Sequence, residues 1–531
     1  MTLKDILGRI PYTAEVYDAL RPVRPRTRYN LSQLEKALPG AVEQVRPFAG
    51  HAPDGKHILL FATLHYWVEQ AAIIALTLRG LGYDVSIAYL PYGDWRKEVS
   101  TFDLRRQDLY TRRVLAPLKG LVRSISLLAV RPTVSLPGEL VSAIETVSAF
   151  DTMYTHQNED FDRSSALYRL RVQRNRQAAA AAQTLLQESR PDVVLIPNGT
   201  ITELGAVYQV ARQLGIDTVT YEFNDQREQM WIAQNDEVMR QNTDLLWSAR
   251  AGRPLSAGQR EKIEALESAR MGGRAFGKST RQWQDVASVG GEKIRASLGL
   301  DARPVVLLAT NVLGDSLTLG RNIFAKTMAE WITKTLQYFA GQPGVQLVIR
   351  VHPGERLIHG QSMVDVIQAA LPQIPEHIHV IKPLEKINTY DIMEITDLGL
   401  VYTTTTGMEM CMNGIPVIAC GETHYRKRGF TFDPASWDEY YDILARLLAQ
   451  SAASVQEVRS QQRLSPAQVQ IAWEYAYRFF FEYPIPFPWR LMHFWKDLDV
   501  WPVGRVLSPE GRREFGQAFG YLAGEALDWK I

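Results

Sequence analysis

Cysteine is nearly absent from this sequence. Cys411 and Cys420 are the only two in 531 residues. A disulfide scaffold is therefore excluded as the basis of the fold, and two thiols alone make no zinc site. A reducing compartment, the cytoplasm, is the expected location. An excess of charge of one sign is missing too. The formal net charge is +1, so no global field draws the chain to nucleic acid, and no nucleic-acid partner is expected. Long apolar runs are missing as well. The most apolar window, residues 58–78, is broken by His65, Glu69 and Gln70 and reads as strand, turn and helix rather than as a membrane span. The first twenty residues hold no apolar core of the kind a signal peptide needs.

Several motifs are also absent. There is no Walker A sequence, no G-x-G-x-x-G after a strand and no H-E-x-x-H. These absences argue against a P-loop NTPase, a standard dinucleotide enzyme and a zinc protease. The triplet Asp497-Leu498-Asp499 follows no core strand and reads as surface, so neither a metal nor a cofactor is expected.

What is present is alternation. Short apolar runs (HILLFAT at 57–63, YDVSIAYL at 83–90, PDVVLIP at 191–197, IDTVTYEF at 216–223) alternate with longer amphipathic stretches. Thr200 and Glu203 have capping-box spacing for a helix over 201–214. A second series begins near residue 303, with PVVLLAT (304–310), a helix over 321–339, VQLVIRV (345–351), IHVIKP (378–383), a strand over 397–402 and PVIAC (416–420). Continuous apolar strands separated by helices mean parallel sheets covered on both faces. The fold class is α/β, with two doubly wound, Rossmann-like parallel-sheet domains facing across a cleft. The expected divisions are a first domain over 1–290 with a helical insertion at about 96–188, a second over 300–470 and a tail over 471–531 that packs back across both. Residues 284–303 read as the linker.

Ligands of such sheets sit beyond the carboxyl ends of the strands, so the residues there are the candidates. VQLVIRV carries Arg350 and is followed by His352-Pro353-Gly354, which presents an imidazole and a guanidinium suited to phosphate or a leaving-group oxygen. A histidine bonded within an ordinary turn explains the same residues. DLGLVY is followed by Thr403-Thr404-Thr405-Thr406-Gly407-Met408-Glu409. A hydroxyl-rich turn running into a helix suits an anion, with Gly407 letting backbone approach it. The alternative is that Thr406 and Glu409 form a capping box, which needs no ligand. PVIAC is followed by Arg426-Lys427-Arg428, a phosphate loop or a solvated basic loop. PVVLLAT is followed by Asn311. In the first domain Glu69, Glu222 and Asp225 are the carboxylate candidates for a general base or nucleophile. The basic, leucine-rich stretch 105–131 fits an amphipathic helix pair packed on its domain, or contact with an anionic membrane surface.

The order IRVHPGE, then DLGLVYTTTTGMEMCMNGIPVIACGETHYRKRGFT, resembles the C-terminal domain of GT-B glycosyltransferases of the capsule polysaccharide biosynthesis family, which includes the bacterial capsule Kdo transferases. The residues that carry the resemblance are His352-Pro353, Thr404 to Glu409, Gly414 to Val417, and Gly421, Tyr425, Gly429 and Thr431. The resemblance implies a GT-B fold and a metal-independent transferase of surface polysaccharide assembly. It implies a nucleotide-sugar donor, CMP-activated in the Kdo branch, in the second domain and a glycan or glycolipid acceptor in the first. His352, Pro353 and the threonines would hold the donor phosphate, Glu409 the ribose, and Tyr425 would belong to the same site. The chain would then work in the cytoplasm or at the inner face of a membrane. A nucleotide-sugar 2-epimerase, a glycerophosphotransferase and a non-catalytic scaffold on a decayed GT-B fold are the rival readings.

Overall fold

The computed structural model describes residues 3–21, 27–49, 55–224, 226–277, 286–357, 360–454 and 464–530. It contains two sheets. The first runs through β1 (His57–Thr63), β2 (Asp84–Leu90), β3 (Arg123–Ser126), β4 (Val193–Pro197), β5 (Asp217–Phe223) and β6 (Gln229–Gln234). The second is built from β7 (Val305–Ala309), β8 (Gln346–Arg350), β9 (Ile378–Ile381), β10 (Leu398–Val401) and β11 (Val417–Ala419). A last short strand, β12 (Ile485–Pro486), belongs to the tail.

The strand order is β12-β6-β5-β4-β1-β2-β3 in the first sheet and β11-β10-β7-β8-β9 in the second. The two share one pattern. In each, the first strand of the series lies in the middle, the next two extend to one side, and the following two to the other. All pairs within those five-strand sets are parallel. Only β6 and β12 run antiparallel to their neighbours. The central strands are buried along nearly their whole length, as the unbroken Val, Ile and Leu runs require. The topology reverses between β1 and β4, and again between β7 and β10. Those two switch points are where a doubly wound sheet opens a crevice.

Four local features depart from the sequence reading. The stretch 96–188 is not purely helical: it contains β3, the outer parallel strand, which Ser124 and Ile125 pair onto β2. The chain leaves the first domain before residue 290. The helices Asp244–Arg250 and Ala257–Met271 already bury Leu246, Ile263 and Leu266 in the core of the second sheet. Gly291–Ser297 is likewise a packed helix rather than a linker, held where Glu394 accepts from the Gly291 amide at 2.7 Å. The helix expected from 321 begins only at Met328, where Thr327 caps it by accepting from the Glu330 amide at 3.0 Å. Residues 310–327 are consequently a long loop after β7.

The tail crosses both domains. The helix Pro466–Tyr477 packs in the second core, and Trp473 donates its indole N–H to the Met412 carbonyl at 2.9 Å. Beyond it, β12 and the helix Pro509–Leu522 complete the first sheet and its core.

Candidate functional site

At the second switch point four residues interlock the strand ends. The Thr403 amide donates to Asn311 Oδ1 at 3.2 Å, which ties the end of β10 to the end of β7. The His352 amide donates to Thr310 Oγ1 at 3.0 Å, which ties β8 to β7. His352 Nδ1 accepts from the Gly354 amide at 3.0 Å, so the neutral ring carries its proton on Nε2. A β-carbon on Gly354 would come within 2.8 Å of that ring nitrogen, which accounts for glycine there. Pro353 starts the short helical turn Pro353–Leu357. Thr403, Thr404, Thr405 and Thr406 are all half-buried. Thr404 Oγ1 lies 3.1 Å from Thr406 Oγ1 and accepts from the Thr406 amide at 3.3 Å. The Thr403 hydroxyl is buried with no partner among the described residues.

Other expected members of this site are engaged elsewhere. No capping box forms at Thr406, and the N-cap residue of the helix Thr406–Met412, Thr405, makes no side-chain cap. Glu409 is instead buried, in an ion pair with Arg270, and accepts from the Tyr390 hydroxyl at 3.0 Å. Gly407 is required by packing: a β-carbon there would overlap the Tyr425 hydroxyl and lie 2.8 Å from Val401. That hydroxyl donates to the Thr404 carbonyl at 2.6 Å, so Tyr425 shapes the threonine turn from beneath. Arg350 turns sideways, donating to the Lys382 carbonyl at 3.0 Å and the Ile387 carbonyl at 3.3 Å. Its burial pulls its pKa down to about 10. Arg426 donates to the Ala419 carbonyl at 2.6 Å and to that of Pro434, and Arg428 pairs with Asp244 at 2.5 Å. Those two arginines are structural, not a phosphate loop.

In the first domain, Glu222 ends β5 at the carboxyl edge of the sheet. It accepts from Asn198 Nδ2 at 3.2 Å and from the Phe223 amide at 3.1 Å. Desolvation raises its pKa against those two bonds. Its negative charge adds to the burial that raises the pKa values of Tyr66 and Tyr154. Strained backbone clusters beside it. Leu64, Asn198 and Thr202 all have positive φ, at 64°, 59° and 57°. Such strain gathers where the fold holds a site open. Thr200 and Glu203 form no capping box, because Thr200 donates to Glu237 at 3.0 Å and Glu203 pairs with Arg171 at 2.8 Å. Glu69 faces away from the cleft. It is buried beside Leu34 and Trp495, where desolvation raises its pKa to about 7. Asp225 lies outside the described residues.

The two edges face one another. Burial raises the pKa of Tyr154, at the end of the helix Gly138–His156, and the charges of Asp315, in the loop after β7, and of Glu222 add to it. A β-carbon on Gly320 would sit 3.0 Å from Phe150 of that helix, so loop and helix are in contact. Glu159 reaches across and accepts from the Met328 and Ala329 amides at 3.2 and 2.8 Å, where the next helix begins. Tyr154, Glu159 and Asp315 had no sequence signal: they lie in a helix end and a loop of ordinary composition. Among the described residues there is no group of three or more His, Cys, Asp or Glu placed to hold a metal.

The family described as capsule polysaccharide biosynthesis protein matches residues 275–458. The matched residues contain all five strands of the second sheet. The described residues form two doubly wound domains and a tail that crosses both. Solved structures similar to it include KpsC from Thermosulfurimonas dismutans, a β-Kdo 2,4 transferase, at 18% identity and TM-score 0.33 over 53% of this chain and 79% of that one. A UDP-GlcNAc 2-epimerase from Neisseria meningitidis is similar at 13% identity and TM-score 0.24, over 80% of this chain and 100% of that one. A glycosyltransferase from Rickettsia africae is similar at 8% identity and TM-score 0.29, over 89% and 100%. At such scores these likenesses carry no functional argument. No curated protein sequence matches the chain. Among the described residues, no helix is long and apolar enough to cross a membrane. Arg112 and Arg113 of the basic stretch are paired with Asp108 and Asp18, at 2.6 and 2.9 Å, and Arg105 pairs with Glu15.

Proposed function

We propose that the protein transfers a sugar from a nucleotide-sugar donor, held by the second domain, to a glycan or glycolipid acceptor on the first, in surface polysaccharide assembly at the cytoplasmic face of a membrane. The observation that carries this reading is the contact between the two carboxyl edges: Glu159 of the first domain accepts from the Met328 and Ala329 amides at 3.2 and 2.8 Å, and a β-carbon on Gly320 of the loop after β7 would sit 3.0 Å from Phe150.

In this reading the leaving phosphate lies against His352 Nε2–H and the threonine hydroxyls, without a metal. Donors preset around the developing charge lower the barrier because they need not reorganise. Glu222 is the group that accepts the acceptor's hydroxyl proton or attacks the anomeric carbon. Desolvation suits it to either task, since a carboxylate with a raised pKa is the stronger base.

The test is a thermal-shift series with CMP, UDP, CDP and GDP. A ligand at a hundredfold excess over its Kd stabilises the native state by about 2.7 kcal/mol. The expected result is stabilisation by one nucleotide, weakened in His352→Ala. No response to any nucleotide would overturn the reading. A response to UDP with substrate epimerised and no transfer to any acceptor would replace it with the epimerase reading.

A further inference from the structure

Ten arginines are buried among the described residues, and nine of them have partners. Arg171 pairs with Asp151 and Glu203, Arg174 bonds two backbone carbonyls, and Arg350 and Arg426 do the same. Arg79, Arg106, Arg270, Arg295 and Arg478 are likewise engaged. Arg321 differs. Its residue is 2% exposed, its side chain makes no hydrogen bond or ion pair with the described residues, and its Nη2 is buried without a partner. A guanidinium always carries its charge, and a buried charge is normally paired.

Its position is informative. Arg321 lies in the loop after β7, and its carbonyl accepts from the Glu422 amide at 2.8 Å, just past the end of β11. The neighbouring Gly320 touches Phe150 of the first domain. Arg321 thus stands at the carboxyl edge of the second sheet where the domains meet. The charged groups that act on it are Arg240, Glu237, Glu422 and Asp236. The three acids are already engaged. Glu422 and Asp236 pair with Arg240 at 2.9 and 3.6 Å, and Glu237 accepts from Thr200 at 3.0 Å. Desolvation and then Arg240 draw its pKa below the ordinary arginine value. Thr403, at the same sheet edge, also has an orphaned buried group, its hydroxyl.

We infer that Arg321 is a binding residue for an oxyanion that enters the cleft with the donor, either a donor phosphate or a carboxylate on the transferred sugar. This rests on the donor-site reading above. The planar fork of Arg321 fits both groups, since phosphate and carboxylate offer the paired oxygens a guanidinium binds in two-point fashion.

The test uses the full chain and Arg321→Met. In the free protein the substitution removes an uncompensated buried cation, so Tm is expected to stay the same or rise. A fall in Tm, or failure to fold, would show a structural arginine and overturn the proposal. The second readout is stabilisation of both proteins by inorganic phosphate, by glucuronate as a sugar carboxylate, and by the nucleotide that binds the wild type. A phosphate site predicts that phosphate and nucleotide each lose at least tenfold in apparent affinity in the variant, with glucuronate inert. A sugar-acid site predicts that only glucuronate loses its effect and the nucleotide keeps its Kd. Unchanged responses to all three overturn the Arg321 assignment while leaving the donor site standing. A wild type that answers phosphate or glucuronate but no nucleotide overturns the donor-site reading instead.

Discussion

The carboxylate of Glu409 is shared between Arg270 and Tyr390. One oxygen meets the guanidinium and the other accepts the phenol hydroxyl at 3.0 Å. The pair joins the helix after β10 to the helices Ala257–Met271 and Thr389–Glu394. Glu409 therefore holds three helices in register, and neither caps its own helix nor reaches the threonine turn.

Glu409→Ala should cost roughly 3–5 kcal/mol, because it takes the carboxylate away from the buried Arg270 guanidinium. Arg270→Met in the same background should recover most of that loss. Urea denaturation of the two variants measures both effects. A Glu409→Ala protein of wild-type stability that no longer binds nucleotide would assign the residue to a ligand instead.

Gly407→Ala should destabilise by about 1–3 kcal/mol through overpacking against the Tyr425 hydroxyl. Adding Tyr425→Phe removes the atom that is struck, so the double variant should be more stable than Gly407→Ala alone. Thermal unfolding of the three variants checks the order.

Glu222→Gln should keep the fold and lower turnover by roughly 10²- to 10⁴-fold, the range for loss of a general base. The ionised form is the active one, and burial raises its pKa above the ordinary glutamate value. Activity should therefore rise with pH through a midpoint above that value. A pH–rate profile that is flat across the acid range would remove Glu222 from the reaction.

Glu69 bears on stability, not on turnover. Burial pushes its pKa up to about 7 in the folded protein, against 4.5 for an ordinary glutamate. The folded state thus holds the proton more tightly than the unfolded one, so stability is greatest below pH 4.5 and falls as pH rises towards 7 and beyond. The fall amounts to roughly 3 kcal/mol at 1.36 kcal/mol per pKa unit. Glu69→Gln should flatten that slope, as read from chemical denaturation at pH 5 and pH 8.

The central parallel strands of both sheets were legible because burial on two faces leaves mostly apolar residues in them, whereas β3, polar and largely exposed, was not. The threonine turn, Asn311 and His352 were legible for a related reason: they are the first polar residues after such runs. What the sequence hid depends on partners far along the chain. Glu409 has helix-capping spacing, yet Arg270, 139 residues away, takes its carboxylate. Arg350 looks like a phosphate ligand until the carbonyls of Lys382 and Ile387 are in place. Glu69 and Glu222 both lie near strand ends, but helical rotation turns the first towards Trp495 while the end of β5 leaves the second at the sheet's edge. The early exit from the first domain was hidden likewise, since the helix Ala257–Met271 shows its destination only when the tail helix covers it.

The edge strand β12 carries a consequence for how the chain is made. It joins β6 of the first sheet from residues 485–486, after the whole second domain has been passed. The helix Pro509–Leu522 then fills the same core. During synthesis, the domain that begins first is therefore finished last: until the ribosome has released more than 500 residues, its β6 edge is bare and part of its core is unfilled. A nascent chain in that state presents an unpaired strand and apolar surface, the features that invite aggregation and chaperone capture.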